Sequence, residues 1–117
     1  MIKIKLSESK VNGSLSLKVE GHAGQAPEGH DIICASASIL IYTVAQMVTD
    51  INSKGGLKKP PTIKLEKGDA VVTCHPKEET YAELLHTYFV AQVGYHLLAQ
   101  HYPQYLELIM FSKNKGE

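Results

Sequence analysis

The amino-acid sequence predicts an α+β domain with the element order ββαββαβ, on the basis of three observations. Two pairs of short segments alternate apolar and polar residues, which is the period of a half-buried strand. Two longer segments carry apolar side chains at helical spacing. One short apolar segment follows the second of these. The expected architecture is two antiparallel hairpins plus a C-terminal strand, packed with two helices.

The first predicted hairpin joins the alternating segments 2–7 (IKIKLS) and 15–20 (LSLKVE). Asn12-Gly13 lies between them, and this pair favours a two-residue turn because both turn positions require a positive φ. Such a turn would pair Leu6 with Val19. The apolar sides of both strands would then lie on one face of the sheet.

The first predicted helix begins behind Asp31, which has the residue type of an N-cap, and runs to about residue 52. Residues 32–49 carry no charge, which reaches the lower length limit of a membrane-spanning helix. Serine, threonine and glutamine interrupt this stretch, and its larger apolar residues favour one face. We therefore interpret it as a buried amphipathic helix of a cytosolic protein.

The second half of the chain predicts a hairpin, a helix and a strand. The hairpin pairs residues 62–66 and 70–74. The helix begins near Thr80, ends at about His101, and contains Gly94, which we expect at a close packing contact because glycine is costly inside a helix. The apolar residues that predict this helix recur every four positions: Leu85, Phe89, Val93 and Leu97.

The last strand, residues 105–111, is apolar on both faces apart from Glu107, so we expect it to be buried on both sides or to meet another subunit. We expect residues 1–112 to form a single domain. Residues 113–117 form a polar tail.

Composition argues against several classes of protein. The 117 residues include 12 acidic and 12 basic side chains, every basic one is a lysine, and the net charge is zero. A nucleic-acid-binding module normally has a cationic surplus and uses arginine, so no nucleic-acid partner is expected. The N-terminal segment MIKIKLSESK has no apolar run typical of a signal peptide. We expect a cytoplasmic protein with no membrane partner, and neutrality favours self-association.

The segment 21–38 (GHAGQAPEGHDIICASAS) carries the residues best suited to chemistry. His22 leaves the end of a strand, and Cys34 is expected in the first turn of a helix. Free backbone N–H groups and the helix dipole there stabilise a thiolate, and the same groups could bind an oxyanion. A histidine alongside can accept the thiol proton and later protonate a leaving amine.

Three other interpretations remain open from the residues alone. Cys34 has the properties of a small buried core residue, since free cysteine is often buried. The domain could be a non-catalytic dimeric interaction module. His22 and Cys34 could also bind zinc with His30, Cys74 and His75, although these spacings do not match the paired motifs of structural zinc sites. We therefore expect no metal and no cofactor.

Two motifs in this segment are similar to a known signature. GHAG at 21–24 and G-x-D-I-I-C-A-x-x-S at 29–38, with G-x-x-L-L-x-x-x-Y-P at 94–103, resemble the ribosomal-processing cysteine protease Prp family, the YsxB-like proteins. The resemblance extends over the whole chain. This sequence departs from the usual pattern at Ser36-Ala37, where relatives commonly have Ala or Gly followed by Val; the residues here remain small.

The resemblance implies a Cys–His endopeptidase, usually a homodimer, that removes a short N-terminal extension from a large-subunit ribosomal protein. Phage relatives process capsid or scaffold precursors instead. The family's nucleophile falls on Cys34 and its general base on His22. The loop between them would open for the substrate, with Gly24 and Gly29 as pivots and Pro27 as a stiffer middle.

Gly21, Asp31 and Ser38 fall on the family's site-shaping positions. Asp31 could cap the helix, which its place in the sequence favours, or orient His22 as a third member of the site. Ser38 lies one turn beyond Cys34 and could bind substrate or its own backbone.

Overall fold

The protein is described by a computed structural model that covers residues 1–22 and 30–112. The expected pivots of the loop, Gly24 and Gly29, its stiffer middle at Pro27, and the polar tail 113–117 lie outside the described residues. The α+β class and the order ββαββαβ are confirmed. The elements are β1 (Ile2–Glu8), β2 (Leu15–Glu20), α1 (His30–Ser53), β3 (Thr62–Glu66), β4 (Asp69–Cys74), α2 (Glu78–His101) and β5 (Leu106–Ser112).

The five strands form one mixed sheet in the order β3-β4-β2-β1-β5. The two hairpins meet where β2 pairs antiparallel with β4, and β5 adds parallel to β1. Both helices cover one face of the sheet, which carries the buried side chains of β1 and β2. Lys3, Lys5 and Lys18 are exposed on the other face. Period-two alternation therefore separates a buried face from an open one.

The predicted register of the first hairpin is wrong by two residues. Leu6 pairs with Leu17, whereas a two-residue turn would have paired it with Val19. A slip of two residues leaves every side chain on its original face, because strand side chains alternate with period two. The predicted buried faces of β1 and β2 are therefore correct although the pairing is not.

The shift arises in the turn. Gly13 has a φ of 72°, but no non-glycine residue in the described ranges has a positive φ, so Asn12 does not adopt the conformation of a two-residue Asn-Gly turn. Instead the Gly13 N–H donates to the Ser9 carbonyl at 2.7 Å, and the Ser9 N–H donates to the Ser14 carbonyl at 2.9 Å. The connection is thus a four-residue loop, closed by the Ser9–Ser14 pair.

The core between the sheet and the helices contains two fully buried tyrosines from α2. The Tyr88 hydroxyl donates to the Val72 carbonyl at 3.0 Å, and the Tyr95 hydroxyl donates to the Ala37 carbonyl at 2.6 Å. A buried phenol needs such a partner because an unpaired hydroxyl in the core is costly. These two bonds connect α2 to the sheet and to α1.

The residues whose spacing predicted α2 do not form its main buried face. Phe89, Val93 and Leu97 are 43%, 58% and 50% exposed, and Leu85 is half-buried. Apolar and aromatic side chains surround most of this helix, so their periodicity does not single out the inward side. The buried side chains of α2 are Leu84, Tyr88, Ala91 and Tyr95.

Gly94 lies at a close packing contact between the two helices, as predicted. A Cβ atom at this position would lie 2.9 Å from both δ-carbons of Leu40 on α1. This distance is shorter than ordinary carbon–carbon contact. The missing side chain thus allows Leu40 to pack directly on the backbone of α2.

The expectation that the last strand is buried on both sides is wrong for the described side chains. Leu106 is buried, but Ile109 and Met110 are 44% and 51% exposed. The strand β5 forms an edge of the sheet, so its outward residues have no helix packed on them in this chain. Whether they meet another subunit stays a prediction.

The helix α1 is long and apolar enough to cross a membrane by length and composition, over Ile32–Ser53. Ile33, Ala37, Ile41 and Val44 of this helix are each at most 2% exposed, because they pack in the core with the sheet and α2. This packing supports its interpretation as the core helix of a folded domain.

Candidate functional site

A pocket of about 270 Å³ lies at the end of the sheet where β2 ends. It is bounded by α1 on one side and by the turn between β3 and β4 on another. Its lining is largely apolar. The polar side chains come from the end of β2, from α1 and from the turn between β3 and β4. The lining residues are Ile2, Val19, Gly21, His22, Cys34, Ala35, Ala37, Ser38, Ile41, Tyr42, Glu66, Lys67, Gly68 and Ala70.

His22 reaches this pocket because the backbone before it is fixed on two sides. The Gly21 N–H donates to the Gly68 carbonyl at 3.0 Å, which continues the pairing of β2 with β4 by one residue. The His22 carbonyl accepts a hydrogen bond from the α-amino group of Met1 at 2.6 Å. The exposed imidazole is thus attached to an ordered end of the sheet.

Gly21, predicted to shape the site, lies where only glycine fits. Its φ is 92°, a region that L side chains rarely adopt. A Cβ atom there would also collide with the backbone carbonyl of Met1. Gly21 therefore lets the chain turn from β2 into the pocket while the first residues of the protein pack against it.

Cys34 is half-buried, lies on α1 and lines the same pocket as His22. The two side chains predicted to carry the chemistry are therefore brought to one place by the pairing of β2 and the packing of α1. A thiol and an imidazole can perform acyl transfer where they come within hydrogen-bonding reach, with sulfur as nucleophile and the ring as proton carrier.

The helix begins earlier than the sequence predicts, which changes the position of Cys34 within it. Because α1 starts at His30, Cys34 is its fifth residue and lies just beyond the first turn. In an α-helix the N–H of residue i bonds to the carbonyl of residue i−4, so the Cys34 N–H belongs to the helical ladder. The free N–H groups of α1 are those of the preceding turn.

The same start places Asp31 inside the helix, as its second residue, and not before it as an N-cap requires. The predicted N-cap position of Asp31 is therefore wrong, whereas its alternative role of orienting His22 stays a prediction, because its side chain lies outside the described parts of the chain. Ser38 lines the pocket with Cys34. Among the described residues its hydroxyl has no hydrogen bond, whereas the Ser36 hydroxyl donates to the Ile32 carbonyl at 2.8 Å.

Cys74, the other cysteine, has a different environment. It is fully buried in the core, and its sulfur lies 3.7 Å from the Tyr88 hydroxyl oxygen. Burial raises the pKa of the Cys74 thiol, which favours its neutral form. Within residues 1–22 and 30–112, no three His, Cys, Asp or Glu side chains lie together in a group that could hold a metal ion.

The sequence did not identify the part of the site contributed by the second hairpin and by Tyr42. Glu66, Lys67 and Gly68 border the pocket because β2 pairs with β4, which brings the β3–β4 turn beside His22. This pairing joins segments about fifty residues apart, and local sequence patterns report neighbours along the chain only. Gly68, which lies between the two predicted strands of this hairpin, was the one available signal in the sequence.

Comparison with known proteins gives a family match and several similar folds. Residues 1–107 match the family described as cysteine protease Prp. The ribosomal processing protease Prp from S. aureus, in complex with a substrate peptide, superposes with a TM-score of 0.65 at 18% identity, over 96% of this chain and 100% of that chain. The same protease with a covalently linked product peptide gives a TM-score of 0.64 at 20% identity, over 96% and 100%.

A third solved structure, SMU.848 from Streptococcus mutans, has a TM-score of 0.65 at 22% identity, over 96% of each chain. These identities are low, so the superpositions establish a shared fold. No curated protein shows a significant match to this chain.

Proposed function

Because this chain belongs to the cysteine protease Prp family, we propose that it cleaves a ribosomal-protein precursor at the pocket shared by His22 and Cys34. The family establishes a cysteine protease. The observation that carries the assignment of the site is that the one cysteine lining this pocket is accompanied by a histidine, while Cys74 is buried in the core.

In the proposed reaction the Cys34 thiol loses its proton to the His22 imidazole, and the sulfur attacks the carbonyl carbon of the scissile peptide bond. The carbon–nitrogen bond breaks, and the imidazolium returns the proton to the leaving amine. Water then attacks the thioester, adds its hydroxyl to the acyl carbon and gives a proton to restore the thiol. Backbone N–H groups of the first turn of α1 are candidates for binding the oxyanion.

The proposed substrate is a large-subunit ribosomal protein that carries a short N-terminal extension. Two considerations support it: the motifs at 21–24 and 29–38, and the similarity in fold to the S. aureus ribosomal processing protease, which was solved with a substrate peptide. The neutral chain suits a free polypeptide better than assembled ribosomal RNA. Such a precursor is made in the cytoplasm, where we place the protein.

The test is to incubate the purified protein with the extended ribosomal-protein precursor and, separately, with a phage capsid precursor, and to identify products by mass spectrometry. We expect one cut in the ribosomal precursor and none with the Cys34→Ala protein. Cleavage of the phage precursor alone would assign the other branch of the family. No cleavage of either by folded protein would contradict the proposal.

We also propose that the protein is a homodimer. Apolar side chains are exposed on both helices: Ile39 on α1 is 58% exposed, and Val90 and Val93 on α2 are 56% and 58% exposed. Exposed apolar patches on folded domains commonly mark interfaces, and we assign the proposed interface to the helix face that carries these residues. Zero net charge adds no repulsion between copies.

Light scattering after size exclusion tests the dimer. We expect twice the chain mass of 12.9 kDa for the parent and the monomer mass for Val93→Glu. Val11→Glu is the matched control, since Val11 is also an exposed valine, at 92%, but lies in the β1–β2 loop. A monomeric parent, or equal masses for both variants, would contradict an interface at this face.

A further inference from the structure

We propose that Gly68 is a positioning residue for His22: its missing side chain leaves the space that the imidazole occupies at the pocket. The inference deepens the proposed function, since it assumes that His22 is the proton carrier of the reaction. Gly68 lies in the two-residue turn that joins β3 to β4, between the paired residues Glu66 and Asp69.

The contact is between the ring and the α-carbon side of Gly68. A Cβ atom built on Gly68 would lie 2.5 Å from Cε1, 2.6 Å from Nε2 and 3.3 Å from Nδ1 of His22. Carbon atoms in favourable contact are about 3.5–4.0 Å apart. The imidazole thus rests directly on the glycine backbone, and any other residue at position 68 would force the two apart.

The ring, and not the backbone, would have to move. Gly68 is fixed by the short turn between paired strands, and its carbonyl accepts the Gly21 N–H at 3.0 Å. The His22 backbone is fixed by the Met1 amino group on its other side. The side chain of His22 is exposed and rotates about single bonds, so it yields at lower cost than either backbone segment.

Gly68 also has a positive φ, of 79°, which is a separate reason for glycine at this position. The chain provides controls for that effect. Gly13 and Gly55 have φ values of 72° and 78°, and a Cβ atom at either would meet nothing within 4 Å. Alanine at those positions therefore imposes the backbone strain alone, whereas alanine at position 68 imposes the same strain and displaces His22.

The experiment compares Gly68→Ala, Gly13→Ala and Gly55→Ala proteins with the parent. Gly68→Asn is added because asparagine tolerates a positive φ while carrying the same Cβ atom. We expect similar losses of stability for the three alanine variants. We expect kcat for precursor cleavage to fall about 100-fold in both position-68 variants, the scale of a misplaced general base, with KM nearly unchanged. The two control variants keep the parent kcat.

The second measurement follows the His22 ring by NMR at one fixed pH, on protein without substrate. We expect the His22 Cε1–H resonance to move in Gly68→Ala and Gly68→Asn, and to coincide with the parent in Gly13→Ala. An unchanged resonance and kcat in the position-68 variants would overturn the inference, and so would losses of kcat equal to those of the controls.

The two proposals fail in different ways. If the parent cuts no precursor but the His22 resonance moves as expected, the positioning contact is supported and the proposed function is wrong. If the parent cuts and the Gly68→Asn protein cuts equally well, the proposed function stands and Gly68 does not position the base.

Discussion

The Tyr95 hydroxyl of α2 donates a hydrogen bond of 2.6 Å to the carbonyl of Ala37, one turn beyond Cys34 on α1. Tyr95 is fully buried, and Ala37 is both a core residue and part of the pocket wall. This bond holds α2 against the part of α1 that carries Cys34. The late part of the chain thereby contributes to a site whose chemical groups come from the early part.

Replacement of Tyr95 by phenylalanine should lower the free energy of unfolding by about 1 kcal/mol, the usual value of one hydrogen bond. The loss should not be larger, because the ring remains and the Ala37 carbonyl keeps its partner four residues on in the helix. Urea denaturation of the parent and Tyr95→Phe measures it. An increase in stability, or a loss above about 3 kcal/mol, would contradict a single hydrogen bond of ordinary strength between Tyr95 and Ala37.

The contact of Gly94 with Leu40 predicts a non-additive pair of substitutions. Gly94→Ala gains about 1 kcal/mol of helix propensity, but its Cβ meets the δ-carbons of Leu40, and overpacking costs about 1–3 kcal/mol. In a Leu40→Ala background the clash is absent, so the same change should stabilise the protein. A double-mutant cycle by chemical denaturation checks this, and equal effects of Gly94→Ala in both backgrounds would contradict the close contact.

His75 predicts a specific dependence of stability on pH. Burial, with a smaller effect of Lys59 and Lys58, lowers the pKa of His75 below its ordinary value of 6.5, and its buried Nδ1 has no partner among the described residues. Below pH 6.5 the unfolded chain binds a proton that the folded chain resists. The neutral form of His75 therefore contributes to the free energy of unfolding. This contribution is fully present above pH 6.5 and is lost as the pH falls through the lowered pKa of His75 in the folded protein.

The measurement is the free energy of unfolding of the parent and of His75→Gln from about pH 8 to about pH 5. The parent should lose stability relative to the variant as pH falls, because glutamine does not titrate. Two parallel curves would contradict this assignment.

The two thiols should differ in reactivity. Cys34 lines an open pocket, whereas Cys74 is fully buried and its pKa is raised by burial. Iodoacetamide at neutral pH should therefore add one label to the native protein, at Cys34, and two to the denatured protein. Peptide mapping by mass spectrometry locates the label. Two labels on the native chain, or a label on Cys74 alone, would contradict the structure.

Local sequence patterns predicted most of the helices and strands, but they did not predict how those elements pair and pack with one another. The alternation in β1 and β2 predicts both strands and their buried faces, since it depends on neighbouring residues. The Asn12-Gly13 pair suggested the wrong register, because the hydrogen bonds of Ser9 favour a longer loop.

The inward face of α2 could not be predicted, because the helix is apolar on most sides. Tyr88 and Tyr95 lie inside, where their hydroxyls donate to the carbonyls of Val72 and Ala37, which are distant in the sequence. Cys34 and His22 were identifiable from one segment of the chain. Their neighbour Gly68 was not, because it arrives through the long-range pairing of β2 with β4.

We propose that peptide bonds are cleaved at this pocket through the Cys34 sulfur. The most direct measurement is kcat/KM on an extended ribosomal-protein precursor for the parent, Cys34→Ala and Cys74→Ala, each checked for folding by circular dichroism. We expect cleavage by the parent and by Cys74→Ala, and none by Cys34→Ala, since Cys34 lines the pocket and Cys74 does not. Cleavage by a folded Cys34→Ala protein at the parent rate would contradict it.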